Sequence, residues 1–203
     1  MLWAACRRLT EVGRAPLPSL IIAGLLFEVM WFVCVFAPGT LLVLVVTAGN
    51  LAVHYRLFCI SSPLITSPRG LRSTLSWVVM ISAIGIGMDT ALFQAGLLIP
   101  ANPEALEFGI PLWLACLWVN FALALRFAFV FLRKHLLLAA VFGAIGGPVS
   151  YLAGSKIAGE VVLQSPIWLS LSVLGVLWAI FLAGAMKLAR LKLFATGSQI
   201  GAH

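Results

Sequence analysis

Residues 166–186 read PIWLSLSVLGVLWAIFLAGAM, a run of twenty-one residues without a charged side chain. Because an α-helix rises 1.5 Å per residue, this run is about 30 Å long, which is the thickness of the hydrocarbon core of a bilayer. The run is continuously apolar, whereas the strands of membrane barrels alternate apolar and polar residues. A helix also satisfies its own backbone hydrogen bonds in lipid. The stretch therefore predicts a transmembrane α-helix.

Five further apolar runs of similar length precede this stretch, separated by short loops. The six predicted spans are about 17–37, 40–58, 73–99, 111–132, 136–158 and 166–186. They predict an all-α polytopic membrane protein, one transmembrane domain over residues 1–203, built as a six-transmembrane-helix bundle. Gly146-Gly147-Pro148 predicts a break in the fifth helix, because proline has no backbone N–H to donate.

The composition excludes a water-soluble globular domain. Of 203 residues, 63% are apolar and 9% are charged, against about 45–50% and about 25% in soluble domains. The mean hydropathy is +1.13. The net charge is +7, but the basic residues lie in short loops and form no basic, aromatic-studded face that would bind nucleic acid. No nucleic-acid partner is therefore predicted.

The positions of the basic residues predict the orientation of the spans. Eleven of the thirteen Lys and Arg residues fall on one side of the predicted membrane: Arg7, Arg8, Arg14, Arg56, Arg69, Arg72, Arg133, Lys134, Lys187, Arg190 and Lys192. Short cytoplasmic loops are enriched in Lys and Arg. Both termini are therefore predicted to lie in the cytoplasm, which an even number of spans allows.

Polar residues inside the spans are the strongest sign of a functional site, because charged groups in hydrocarbon are costly. The helical rise places the polar or broken points of five helices about 14–16 Å below the outer ends of the spans. Arg126 comes out about 22 Å deep, and its long side chain is expected to reach and neutralise Asp89. The predicted ligand-binding residues are Glu28, Asn50, Asp89, Asn120, Arg126, Gly146, Gly147, Pro148 and Tyr151.

Purely structural interpretations of the same residues stay open. Glu28, Asp89 and Arg126 could form a charge cluster that fixes helix packing. Asn50 and Asn120 could be interhelical hydrogen bonds alone, and the glycine-proline sequence could be a simple kink. The four cysteines have no C-x-x-C spacing and no nearby His, so neither a metal site nor a cofactor is predicted.

Three segments resemble an uncharacterised family of small bacterial inner-membrane proteins, domain of unknown function 2878. They are GMDTALFQAG (87–96), PLWLACLWVNFA (111–122) and, most distinctively, GAIGGPVSYLAG (143–154). The resemblance extends over about residues 17–186 and implies a six-helix protein of the bacterial inner membrane without an agreed activity. Members are often encoded near lipid-modifying enzymes, so the resemblance also implies a role in envelope lipid metabolism. It supplies no catalytic residues.

These patterns favour a protein that binds or transports a small solute or a lipid at a polar site in the middle of the membrane. One alternative is a membrane enzyme, or its accessory subunit, in envelope lipid modification, with Glu28 and Asp89 as an acid–base pair. Motifs of soluble enzymes are absent, so an enzyme is the less favoured reading. Another alternative is a structural or assembly protein. The expected partners are membrane lipids, a small-molecule or lipid ligand, and a membrane-protein partner or a second copy of the chain.

Overall fold

Six α-helices and one short two-stranded antiparallel sheet are the main elements of the described part of the chain, which in this computed structural model is residues 17–56, 68–106 and 109–191. The helices are α1 (Leu17–Phe36), α2 (Thr40–His54), α3 (Pro68–Gln94), α4 (Leu112–Phe127), α5 (Leu136–Ile157) and α6 (Ile167–Leu188). Each predicted span thus contains one helix, and the mainly helical class is confirmed.

Three of the described helices are long and apolar enough to cross a membrane. They are the segments Gly70–Gln94 of α3, Leu136–Ile157 of α5 and Ile167–Leu188 of α6. The apolar segments described for α1, α2 and α4 are shorter, at 10–17 residues. The length and composition of these three helices indicate a membrane protein.

The connection after α3 differs from the sequence prediction. The helix ends at Gln94 rather than near residue 99, because Gly96 adopts a positive φ of 71° that continues no helix. Leu98–Pro100 then forms β1, which pairs antiparallel with β2, Val161–Leu163. The prediction of an all-α chain missed this two-stranded sheet. It joins the α3–α4 connection to the α5–α6 connection.

Helix α4 is the centre of the bundle and packs against α1, α2 and α3. Its last turns are buried on all sides, from Ala122 to Phe127. The helix ends at Phe127, five residues before the predicted end. There the Arg133 guanidinium donates to the Arg126 carbonyl at 2.7 Å, which satisfies one of the carbonyls that a helix end leaves unpaired. A 3-10 turn, Val130–Lys134, follows.

Helices α5 and α6 approach each other closely because small residues line their contact. A Cβ atom added at Gly143 would lie 2.2 Å from the Trp178 carbonyl oxygen, and one added at Gly147 would lie 2.2 Å from Cγ of the Trp178 ring. Across the contact, a Cβ at Gly175 would lie 3.2 Å from the Ala144 carbonyl oxygen. Any side chain at Gly143 or Gly147 would separate the two helices.

The predicted break in the fifth helix is not found. Helix α5 runs without interruption from Leu136 to Ile157 with Pro148 inside it. Proline removes only the bond that its own N–H would donate to the carbonyl four residues earlier, that of Ala144. Gly175 of α6 packs against this same carbonyl, so the neighbouring helix covers the site of the missing bond.

Candidate functional site

A buried carboxylate joins three helices. Asp89 of α3 is 0% exposed. One of its oxygens accepts a hydrogen bond from the indole N–H of Trp118 on α4 at 2.6 Å, and the other accepts from the hydroxyl of Tyr151 on α5. These are its two hydrogen-bond partners among the described residues, and both are neutral donors. Asp89 therefore fixes the position of two aromatic side chains from neighbouring helices.

A glycine makes room for the first of these aromatic side chains. Gly85 lies one helical turn before Asp89, and a Cβ atom there would lie 2.1 Å from the Trp118 ring. The Trp118 ring stacks on Trp178 of α6, with centroids 5.3 Å apart and an interplanar angle of 16°. Phe181 meets the same ring edge-on at 5.3 Å. An aromatic cluster thus continues from the buried carboxylate to α6.

A cavity of about 380 Å³ lies between α1, α4, α5 and α6, with this aromatic cluster in its wall. We call it the groove. It follows α5 from Phe142 to Ala158, the residue just after the end of the helix, over about 24 Å. This length is most of the roughly 30 Å of a hydrocarbon core. Its lining is mainly apolar and aromatic. The hydroxyl-bearing and charged residues that line it are Glu28, Ser150, Tyr151, Ser155 and Glu160.

One hydrogen bond joins α1 to α5 across the groove. The indole N–H of Trp31 donates to the Ser150 hydroxyl at 3.0 Å. Glu28 lies three residues before Trp31 on α1, so it occupies the same helix face about one turn away. Its side chain is exposed and lines the groove. A carboxylate is therefore available to a molecule in the groove near the level of Tyr151.

A second polar cluster links α2 to α4 by hydrogen bonds. The Asn50 amide donates to the Asn120 side-chain carbonyl. The Asn120 amide donates in turn to the Thr47 hydroxyl at 3.2 Å and to the Cys116 carbonyl at 2.7 Å. A ring nitrogen of His54 bonds the Asn50 carbonyl at 2.9 Å. All of these residues are buried, so the cluster is an internal link between two helices.

The two clusters lie on opposite faces of α4. Trp118 and Asn120 are two residues apart, which on a helix of 3.6 residues per turn is a rotation of about 200°. The asparagines therefore face α2, whereas the indole faces α3 and the groove. The common depth predicted for these polar residues did not bring them into one site, because depth does not determine which face of a helix a residue occupies.

Arg126 does not neutralise Asp89 as predicted. Its guanidinium donates to the Ser73 hydroxyl at 3.0 Å and to the Thr74 hydroxyl at 3.5 Å. Thr74 precedes Asp89 by fifteen residues on α3, which is about 22 Å along the helix axis. The Arg126 guanidinium therefore lies beside the N-terminal end of α3, where it is hydrogen-bonded to these two hydroxyl groups and does not extend toward Asp89.

The structure divides the nine predicted site residues among different places. Asp89 and Tyr151 are joined, Asn50 and Asn120 form a separate pair, and Arg126 lies away from both. The predicted residues that line the groove are Glu28, Gly146, Gly147 and Tyr151. Pro148 instead packs near Gly175 of α6, 3.7 Å from a Cβ built there.

The sequence prediction missed the tryptophans. Trp31, Trp118 and Trp178 all line the groove, and each lies well inside its helix. Tryptophan in membrane proteins usually lies at the lipid–water interface, where its ring is half solvated. Tryptophans near the middle of apolar spans were therefore the available signal for an internal site.

The groove shows no sign of a metal centre. Among the described residues no three His, Cys, Asp or Glu side chains come close enough to hold a metal ion. Cys34 and Cys116 are buried as free thiols, and Cys6 and Cys59 lie outside the described residues. The polar groups available to a ligand there are carboxyl groups, hydroxyl groups and the indole N–H of Trp178, which is buried and has no hydrogen-bond partner among the described residues.

The asparagine cluster should contribute little to stability. We expect Asn50→Leu to lower the free energy of unfolding by about 0.6 kcal/mol, the mean for interhelical hydrogen bonds in membranes. Equilibrium unfolding in mixed micelles, followed by circular dichroism, measures this change. A loss of several kcal/mol would contradict the view that Asn50 only links α2 to α4.

No curated protein and no solved structure matches this chain. One family does match: its sequence model covers residues 20–184, the whole helical region from α1 to most of α6. This is more than half of the 203 residues. The chain therefore belongs to the family described as protein of unknown function (DUF2878).

Proposed function

We propose that this is an integral protein of the bacterial inner membrane that crosses the bilayer six times and binds a lipid-like ligand in the groove. Three described helices have the length and composition of spans. The other three helices are apolar and pack in the same bundle. The Lys and Arg bias favours both termini in the cytoplasm.

The observation that carries this proposal is the groove itself. It is elongated, runs about 24 Å along α5 and is lined mainly by apolar and aromatic side chains. A hydrophilic solute would lose its hydration there with few polar groups to replace it. An acyl or isoprenoid chain that moves from the lipid bilayer into the groove exchanges one apolar environment for another and loses no hydrogen bonds. The lining therefore favours a lipid-like ligand over a polar solute.

An enzyme that uses Glu28 and Asp89 as an acid–base pair finds less support. Glu28 lines the groove, but Asp89 is fully buried behind Trp118 and Tyr151 and is not part of the lining. A direct proton transfer from Asp89 to a bound ligand would need both aromatic side chains to move. A structural role is favoured by the hydrogen bonds that join Asp89 to two neighbouring helices, α4 and α5, and it is compatible with binding in the adjacent groove.

Blocking the groove tests the proposal. Gly146 lines the groove, and a Cβ added there meets nothing within 4 Å, so Gly146→Phe should fill the groove without disturbing the helices. Displacing two methylene groups of a ligand, at about 0.8 kcal/mol each, weakens binding about tenfold. We expect native mass spectrometry to show about tenfold less lipid retained by this variant than by the wild type.

Gly87→Phe is the matched control. Gly87 is also an exposed helical glycine with nothing within 4 Å of an added Cβ, but it lies on α3 and away from the groove. It should retain lipid as the wild type does. Equal lipid retention by all three proteins would contradict the proposal.

A further inference from the structure

One hydrogen-bond donor in the wall of the groove is left unpaired by the described residues. The side chain of Trp178 on α6 lines the groove and is 9% exposed. Its indole N–H is buried and has no hydrogen-bond partner in the described part of the chain. A buried donor without an acceptor costs the free energy of its lost hydration. A ligand that supplies an acceptor to this N–H therefore gains affinity.

The other buried tryptophans among the described residues are paired inside the protein. The indole of Trp77 donates to the Ala122 carbonyl at 2.9 Å, and that of Trp118 donates to the Asp89 carboxyl group. The bundle thus supplies an acceptor to each of these two enclosed indoles. The indole that it leaves unpaired is one that lines the groove, which indicates that the acceptor comes from a molecule in the groove.

A second donor lies about one helical turn away. The Trp178 indole faces Gly147 of α5, where an added Cβ atom would lie 2.6 Å from Cδ1, the ring carbon next to the N–H. Ser150 follows three residues later, about 4.5 Å along α5, and also lines the groove. Its hydroxyl accepts the Trp31 N–H and has its own proton to donate. A carbonyl oxygen has two lone pairs, so one such oxygen can accept from both Trp178 and Ser150.

The charged residues of the groove disfavour an anionic ligand and do not replace the missing acceptor. Glu28 and Glu160 line the groove, and no Lys, Arg or His is found among its described lining residues. An anionic group would therefore meet like charge without a cationic partner. An ammonium group has no lone pair, so it would leave the Trp178 N–H unpaired. An uncharged acceptor oxygen avoids both costs.

The two donors lie near the middle of the groove. Ser150 is eight residues from Phe142 and eight residues from Ala158, the two ends of the groove along α5. The helical rise makes each half about 12 Å long. Apolar side chains line both halves, with Leu132 near one end and Val161 near the other. A ligand that follows the groove therefore places apolar chain on both sides of an oxygen at the level of Ser150.

We propose that the ligand of the groove is an uncharged lipid with a carbonyl oxygen within its apolar chain, and that this oxygen accepts hydrogen bonds from the Trp178 indole and the Ser150 hydroxyl. The inference rests on the proposed function and adds the chemical class of the ligand. The unpaired indole N–H carries it, and the second donor and the apolar lining on either side support it.

Three probes of equal chain length test this inference. Octadecane, its mid-chain ketone and octadecylamine are added at equal mole fraction to the full chain in dodecyl maltoside micelles, whose detergent has no carbonyl group. Bound probe is counted by native mass spectrometry. We expect the ketone to bind at least about tenfold more tightly than octadecane, the order expected when a buried donor gains its acceptor. Octadecylamine should bind more weakly than the ketone.

Variants assign the preference to the two donors. Trp178→Phe removes the N–H and keeps an aromatic ring, so the ratio of ketone binding to octadecane binding should fall toward one. Ser150→Ala removes the second donor and should lower the ratio in part. Trp168→Phe is the matched control on the same helix, because Trp168 is 68% exposed and lies outside the lining of the groove. It should keep the wild-type ratio.

A spectroscopic measurement on the wild-type chain does not depend on how the variants fold. The proton–nitrogen NMR signal of the Trp178 indole should move to higher proton frequency when the ketone is added, because its N–H gains an acceptor. Octadecane should cause no such shift. A signal that responds equally to both probes would contradict the hydrogen bond.

The failure of the inference and the failure of the proposed function give different results. Equal binding of ketone and octadecane, tighter binding of the amine, or a ketone preference that persists in Trp178→Phe would overturn the inference. The proposed function would then stand as long as Gly146→Phe weakens the binding of the probes. If Gly146→Phe changes the binding of no probe, the proposed function fails and the inference fails with it.

Discussion

Replacing Gly143 by alanine is expected to lower the free energy of unfolding by about 3 kcal/mol, the upper end for overpacking a well-packed interior. The new methyl group would lie 2.2 Å from the Trp178 carbonyl oxygen and 2.7 Å from the carbonyl carbon. Backbone atoms cannot swing aside as a side chain can, so α5 and α6 would have to separate. Denaturant titration in mixed micelles, followed by circular dichroism, measures the loss.

Gly146→Ala is the matched control for this prediction, three residues away on the same helix. An added Cβ at Gly146 meets nothing within 4 Å, and alanine is favoured over glycine in helices by up to about 1 kcal/mol. This variant should be as stable as the wild type or more stable. If both variants lose the same stability, the cost arises from the helix backbone and not from the α5–α6 contact.

Trp118 and Trp178 explain why glycine occurs at two positions in the neighbouring helices. Each indole lies inside a helix and faces a glycine on the neighbouring helix: Trp118 faces Gly85, and Trp178 faces Gly147. Gly85 precedes Asp89 by one turn, so the same face of α3 receives the ring and accepts its N–H. The positions of the glycines on α3 and α5 therefore determine where the Trp118 and Trp178 rings lie in the wall of the groove.

The apolar runs were sufficient to predict the number and rough bounds of the α-helices among the described residues, because length and hydropathy are properties of each segment alone. The helical rise predicts a common depth for Asp89 and Asn120, and both side chains are buried in the bundle. The direction of each side chain did not follow, since it depends on how each helix is rotated against its neighbours. Asn120 therefore turned out to face α2, while Trp118 two residues earlier faces the groove side.

Local end effects explain the errors in the helix bounds. Helix α3 ends earlier than predicted because Gly96 adopts a positive φ. At the end of α4, the Arg133 guanidinium donates a hydrogen bond to the Arg126 carbonyl. The prediction that Arg126 neutralises Asp89 failed for a related reason. The Arg126 side chain is long, but the hydroxyl groups of Ser73 and Thr74 are nearer acceptors for its guanidinium group than Asp89 is. Such competition between partners can be judged only once the helices are placed.

Replacing Asp89 by leucine is expected to lower the free energy of unfolding by about 3 kcal/mol. The substitution leaves the Trp118 N–H and the Tyr151 hydroxyl without their acceptor, and each buried donor left unpaired costs about 1–3 kcal/mol. The same titration in mixed micelles measures the loss. A stability equal to that of the wild type would mean that both donors find other partners.

A double-mutant cycle shows how much of that loss passes through Tyr151. Tyr151→Phe removes one of the stranded donors, so the double variant Asp89→Leu, Tyr151→Phe should lose at least about 1 kcal/mol less than the sum of the single losses. The other tyrosine of the chain, Tyr55, is 51% exposed and provides the control: Tyr55→Phe should add to Asp89→Leu without coupling. Because coupling requires that the two groups be in contact, additive losses for Asp89 and Tyr151 would show that the carboxyl group does not hold the tyrosine in the wall of the groove.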